Sequence, residues 1–403
     1  MSSRRKVWKC CAIFFATLTC TGCFDQVEVD NLNTVVGLGI DQLDNKNVEV
    51  TVEIVNSTSQ SASPDDKKKS GGKTESQTFV YSSKAKSIPE ALDKYLSKLS
   101  KVLYLPHNSI VVFGQTYAQH GIDDAFDYLE RSRYYRRNQL WVVTHTSARQ
   151  LLESNAQTQP INALAMRNLV EQMAKSSKLY ETDQLRVMRQ YLSVSNSPVV
   201  SCVDIDETGN PYLAGLGVFR HAKLAAVLPM DESQSLTWLL CNSKQMVLTI
   251  PTAKRDEVKN TASIRILRMN RRVHCRIEHG EPVFEVAIQG KAEIEHLPEQ
   301  TQLTPQFMKL LQSNVDKKIV ADMKNTVDHL QKIDCDATQF GNVLFRTNPN
   351  VWRNLADNWQ ETFPHLKVSY TADIDLLGNG LTSTPPVSTY SPKGISPGLQ
   401  NKE

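Results

Sequence analysis

No apolar stretch in this chain has the length of a membrane-crossing helix. The most pronounced one, residues 10–20, is about half of the ~20 residues a span requires. Signatures of common chemistries are missing as well: there is no glycine-rich phosphate loop, no HExxH helix and no serine elbow. Gly37-Leu38-Gly39 lacks the third glycine and the following helix of a dinucleotide site, so a strand at which backbone packs closely is the better reading. Beyond residue 23 the cysteines are Cys202, Cys241, Cys275 and Cys335, too widely spaced for a zinc motif. They are read as free thiols in a folded body, although an even number in an oxidising compartment also permits disulfides. Charge of one sign is not in excess either, at a formal +3. Arg4, Arg5, Lys6 and Lys9 supply that surplus, and the remainder is near neutral, which gives no electrostatic reason to expect nucleic acid as a partner.

What is present begins at the N-terminus. Arg4, Arg5 and Lys6 precede the apolar run, and Leu18-Thr19-Cys20-Thr21-Gly22-Cys23 closes it. This pattern is that of a cleaved export signal over residues 1–22, and its end resembles a bacterial lipobox. Cys23 is then the expected lipidation site. A diacylglycerol thioether there would hold the protein at the outer face of the cell membrane, each buried CH2 contributing ~0.8 kcal/mol.

The remaining pattern predicts an α+β protein of two to three domains, with largely antiparallel or mixed sheets and packed helices. Residues 34–41 and 48–56 read as a hairpin, with Val48, Val50, Val52 and Ile54 facing a core and Glu49, Thr51 and Glu53 alternating with them. Residues 57–76 form a polar insertion with no apolar residue larger than Ala62, expected to be a mobile loop. Ile110-Val111-Val112-Phe113 has the composition of a central strand. A helix is predicted over 121–138, ending in Arg131, Arg133, Arg136 and Arg137. These arginines complement a helix C-terminus, or contact a partner or anionic head groups. Asp204 and Asp206 begin like a calcium loop, but Gly215 stands where the bidentate Glu is needed, so a polar turn is expected. Asp231 is read as a helix cap. Residues 263–278 and 283–297 form a long alternating ribbon, and Thr304-Pro305 starts the longest helix. The predicted domains are 23–205 and 206–381, followed by a Pro/Ser/Thr-rich disordered tail, 382–403.

Several stretches carry a family resemblance. Phe24-Asp25-Gln26-Val27-Glu28, Leu32 and Val36-Gly37-Leu38-Gly39-Ile40-Asp41 resemble the start of the Ger(x)C spore germination lipoproteins. Leu105-Pro106-His107 before the buried strand, Gly215-Leu216-Gly217-Val218-Phe219, and a Pro349-started helix bearing Trp352 and Trp359 are similar to later family segments. The insertion, the four cysteines and the tail depart from the family pattern. The resemblance implies a C subunit of a nutrient germinant receptor, on the outer face of the spore inner membrane, with integral membrane receptor subunits as partners. It implies no enzyme activity, no catalytic residue, no metal, and no cofactor beyond the covalent lipid on Cys23. The rival reading is an extracytoplasmic solute-binding lipoprotein of a transporter, which requires two similar lobes built on parallel sheets.

Overall fold

The computed structural model describes residues 31–56, 77–157, 159–252, 261–298, 301 and 303–377. The signal segment, Cys23, the 57–76 insertion and the 382–403 tail lie outside them. No helix among the described residues is long and apolar enough to cross a membrane.

A nine-stranded sheet contains β1 (Leu32–Asp44), β2 (Asn47–Val55), β3 (Thr78–Ala85), β4 (Val102–Tyr104), β5 (Ile110–Gly114), β6 (Leu140–Thr144), β7 (Val199–Ile205), β8 (Pro211–Arg220) and β9 (Lys223–Leu228). Its order is β3-β2-β1-β5-β6-β7-β8-β9, with β4 beside β1. The two ends are antiparallel meanders, whereas β1, β5, β6 and β7 run parallel. That parallel centre explains why β5 and β6 are apolar without alternation, since helices bury both of their faces.

The predicted first hairpin is present, but its polar face is not in water. Glu49, Thr51 and Glu53 are buried together with the valines of β2. The helices Ala148–Leu152 and Asn162–Lys175 lie over that face, and buried carboxylates tie them down. Glu53 accepts bonds from the backbone N–H of Asn162 (3.0 Å) and Ala163 (2.8 Å). Asp41 accepts from Ala148 (2.7 Å) and Arg149 (3.0 Å). Each carboxylate thus satisfies N–H groups that a helix start leaves without an intrahelical partner. The close-packing reading of Gly37-Leu38-Gly39 holds: a Cβ on Gly37 would lie 2.9 Å from Leu152, and one on Gly39 would lie 3.0 Å from Ala148.

The second sheet has the order β10 (Met246–Pro251), β11 (Thr261–Glu278), β12 (Glu281–His296), β13 (Lys367–Leu377). The long ribbon β11–β12 turns at His279 and Gly280, both with positive φ, as a tight two-residue connection requires. β13 runs parallel to β12, and the helix Pro305–Lys332 lies on the crossover between them. Thr304 caps that helix by accepting from the N–H of Phe307 (3.1 Å), and Leu311, Val315, Ile319, Met323, Val327 and Leu330 form its buried stripe.

Three local expectations are corrected. The single helix over 121–138 is replaced by Gln115–His120 and Asp123–Arg131, with the arginine-rich segment lying mostly beyond it. The helix Met230–Leu240 is capped at Pro229, leaving Asp231 in its first turn. The Trp-bearing helix breaks after Leu355 and resumes at Trp359. The first sheet itself continues through β8 and β9.

The two sheets share a core. Val199, Leu216, Val218 and Leu228 of the first belong to one buried cluster with Phe284, Ile288, Ile319 and Phe340 of the second half. Asp336 stands at this joint, fully buried. It accepts from Ser195 Oγ (2.7 Å), Thr338 Oγ1 (2.7 Å), the N–H of Phe340 (2.9 Å) and Gly341 (2.8 Å), and Trp359 Nε1 (3.1 Å).

Candidate functional site: an arginine turn beside a cleft

The helix Asp123–Arg131 stops because Ser132 takes an extended backbone and Tyr135 turns into the core, where its ring meets Tyr128 edge-on at 5.9 Å. The four predicted arginines therefore divide. Arg131, in the last turn, pairs with Asp127 one turn earlier (2.6 Å). Arg137 pairs with Glu130 (2.7 Å). Glu130 in turn ends a chain of amides running inward: Gln184 donates to it (2.7 Å), Gln139 donates to Gln184 (2.6 Å), and Asn108 donates to Gln139 (2.7 Å). Arg133 and Arg136 are exposed, and their guanidinium groups have no ion-pair or hydrogen-bond partner among the described residues, with Tyr134 exposed between them. Of the four arginines, these two leave their guanidinium groups free to meet another surface.

Beside the turn lies a cleft of about 510 Å³, between the start of the helix Ile88–Asp93 and the helix Asp123–Arg131. Pro89, Tyr117, Tyr128 and Tyr134 supply its apolar walls, and Asp124, Asp127, Lys86 and Arg131 its charged ones. Burial raises the Tyr117 and Tyr128 hydroxyls above the usual tyrosine range, so both remain neutral. None of the side chains lining it is Cys or His. Such a surface is equipped to recognise a mixed apolar and charged segment.

The other singled-out residues are dispersed. His107 is exposed in the turn before β5, its ring 5.3 Å from Tyr104. All four described cysteines are free: Cys202 and Cys335 buried, Cys241 and Cys275 half-buried. Asp206 does organise the polar turn, accepting from the N–H of Thr208 (2.8 Å) and Asn210 (2.9 Å). Asp204 points the other way, into the sheet, toward Thr144 and His145. Trp352 and Trp359 pack on each other at 5.2 Å inside the core.

Residues 25–205 match the family described as spore germination protein N-terminal domain, and residues 214–380 match the spore germination B3/GerAC-like C-terminal family. The chain belongs to the Ger(x)C family of spore germination proteins. Among curated Ger(x)C-type relatives, spore germination protein KC of Bacillus subtilis (strain 168) is 23% identical across 94% of this chain and 98% of its own length. Spore germination protein B3 of the same organism is 22% identical across 91% of this chain and 96% of its own length. The crystal structure of the GerBC protein superposes with a TM-score of 0.54 at 17% identity, over 85% of this chain and 97% of that one. The Ger(x)C fold, mixed sheets with packed helices, is therefore shared.

Proposed function

We propose that this chain is a lipid-anchored subunit of a nutrient germinant receptor, tethered through Cys23 and acting by assembly with integral membrane subunits of the spore inner membrane. The observation that carries this reading is the ordered match of both family segments over most of the chain. The lipobox-like pattern at Cys23 supports the anchor, which is the only covalent group the reading requires. Anchoring raises the local concentration of the folded body at the membrane, so a modest contact surface suffices for assembly. Arg133, Tyr134 and Arg136 offer such a surface. The solute-binding alternative fits less well, because a nine-stranded and a four-stranded sheet are not two similar lobes.

Deleting the gene should abolish or slow germination toward at least one nutrient in a panel, and restoring the wild-type gene should rescue it. A Cys23→Ala chain should fail to rescue and should leave the membrane fraction. Normal germination of the deletion strain toward every nutrient rejects the receptor role. Membrane retention of the Cys23→Ala chain rejects only the anchor.

A further inference from the structure

His145, Cys202 and Asp204 gather at the carboxyl ends of the adjacent parallel strands β6 and β7. Cys202 and Asp204, two residues apart on β7, present their side chains to one face. A register shift in the β7–β8 pairing falls between Cys202 and Val203. His145 follows the last residue of β6. Its Nδ1 lies 2.5 Å from Asp204 Oδ2 and 3.8 Å from Cys202 Sγ, and Cys202 Sγ lies 3.9 Å from the same carboxylate oxygen.

From these distances we infer a divalent transition-metal site, with zinc as the fitting ion, held by His145 Nδ1, Cys202 Sγ and Asp204 Oδ2. Tetrahedral zinc with ligand bonds of ~2.0–2.3 Å separates its ligand atoms by roughly 3.3–3.8 Å. The two edges to sulfur are already close to that length. The third edge is held short by a hydrogen bond, and an ion replacing the shared proton would lengthen it. The supporting bonds suit one-oxygen coordination: Asp204 Oδ1 is occupied by Thr144 Oγ1 (2.9 Å) and the N–H of His145 (2.8 Å), leaving Oδ2 to face the cluster. The His145 side chain is 47% exposed, so the fourth position opens to water. A mixed thiolate, imidazole and carboxylate set suits zinc better than magnesium or calcium, which take oxygen ligands.

The same residue types also build thiol catalysts, but their arrangement here differs. In a catalytic relay the nucleophile and the acid engage opposite nitrogens of the imidazole. Here both face Nδ1, converging on one point. The thiol is wholly buried, whereas a reactive nucleophile must be reachable by its substrate.

The full-length chain, purified in detergent and stripped with chelator, should bind one equivalent of Zn²⁺ per chain by mass spectrometry of the eluted metal. Co²⁺ should give a thiolate-to-cobalt absorption band in the near ultraviolet. Cys202→Ser and His145→Gln should each weaken Zn²⁺ binding by roughly 100-fold or more and abolish the band, whereas Asp206→Asn should change neither. His145 is exposed enough for its substitution to leave the fold intact, so that variant decides even if Cys202→Ser misfolds. Absence of saturable Zn²⁺ binding overturns the assignment. Equal binding by wild type and His145→Gln does so too, leaving the cluster as a hydrogen-bonded strand terminus.

Discussion

Glu53 and Asp41 are acids in the middle of a sheet, and their chemistry follows from what sits above them. Backbone N–H groups favour the charged form of each, yet desolvation outweighs them and moves both carboxyls above their ordinary range. For Glu53 the unfolded chain loses its proton first, near 4.5, as pH rises. The stability tied to protonated Glu53 is therefore complete below that value and is lost as pH climbs through the higher folded pKa. Glu53→Gln should flatten this part of the pH profile, measured as urea midpoints across the acid range, whatever its effect on absolute stability. An unchanged slope would assign the titration elsewhere. Asp336 poses a different test, because it satisfies five donors at the joint. Asp336→Ala leaves them buried without an acceptor, and a loss on the order of 3–5 kcal/mol in unfolding free energy is expected. Of these roles the sequence shows little. The alternation in β2 marks Glu53 as solvent-facing because nothing local announces that a helix starting 109 residues further on will cover it. The convergence of His145 on Cys202 has the same cause: 57 residues separate them, and a search for closely spaced ligands passes over such a pair.

Elements were more legible where periodicity is long. The β11–β12 ribbon and the helix Pro305–Lys332 repeat their patterns over enough residues to leave no alternative, and Thr304-Pro305 marks the helix start chemically. The end of the helix at Arg131 was not legible. Tyr134 and Tyr135 prolong an amphipathic pattern, and only the seat offered to Tyr135 beside Tyr128 stops it. That stop separates fixed from free arginines. Replacing Arg133 and Arg136 by Ser should weaken co-purification with membrane receptor subunits while leaving the melting temperature within about 1–2 °C of wild type, since exposed substitutions usually cost within ~0.5 kcal/mol. Replacing Arg137 should instead lower thermal stability, because it pairs with Glu130, where the chain of amides from Asn108 ends. The glycines of β1 make an element-level test of layer spacing. Gly39→Val must displace the helix Ala148–Leu152, and a loss of roughly 1–3 kcal/mol is expected in chemical denaturation.

At the scale of the whole molecule, the sheet continuing through β9 and the shared core make the two halves interdependent. A fragment ending at residue 205 keeps the first family segment but loses β8, the partner along the whole of β7. It also uncovers Val199, which packs with residues of the second half. Such a fragment should lack the cooperative melt of the intact chain by circular dichroism, and co-expression with residues 206–381 should restore it. A fragment that melts cooperatively alone would make the first half self-sufficient. The mixed sheet is legible in outline, but which strands pair in parallel is not, because parallel neighbours are joined by long crossovers that leave no turn signal.

The placement of β13 also sets a timetable. Its partner β12 begins at Glu281, while β13 ends at Leu377, so the four-stranded sheet cannot close until a strand that ends 96 residues after the start of β12 is available. Contacts this distant along the chain are slow to form. On the proposed export route, in which the chain would cross the membrane extended, that delay would keep the second half pliable until its final strand has emerged.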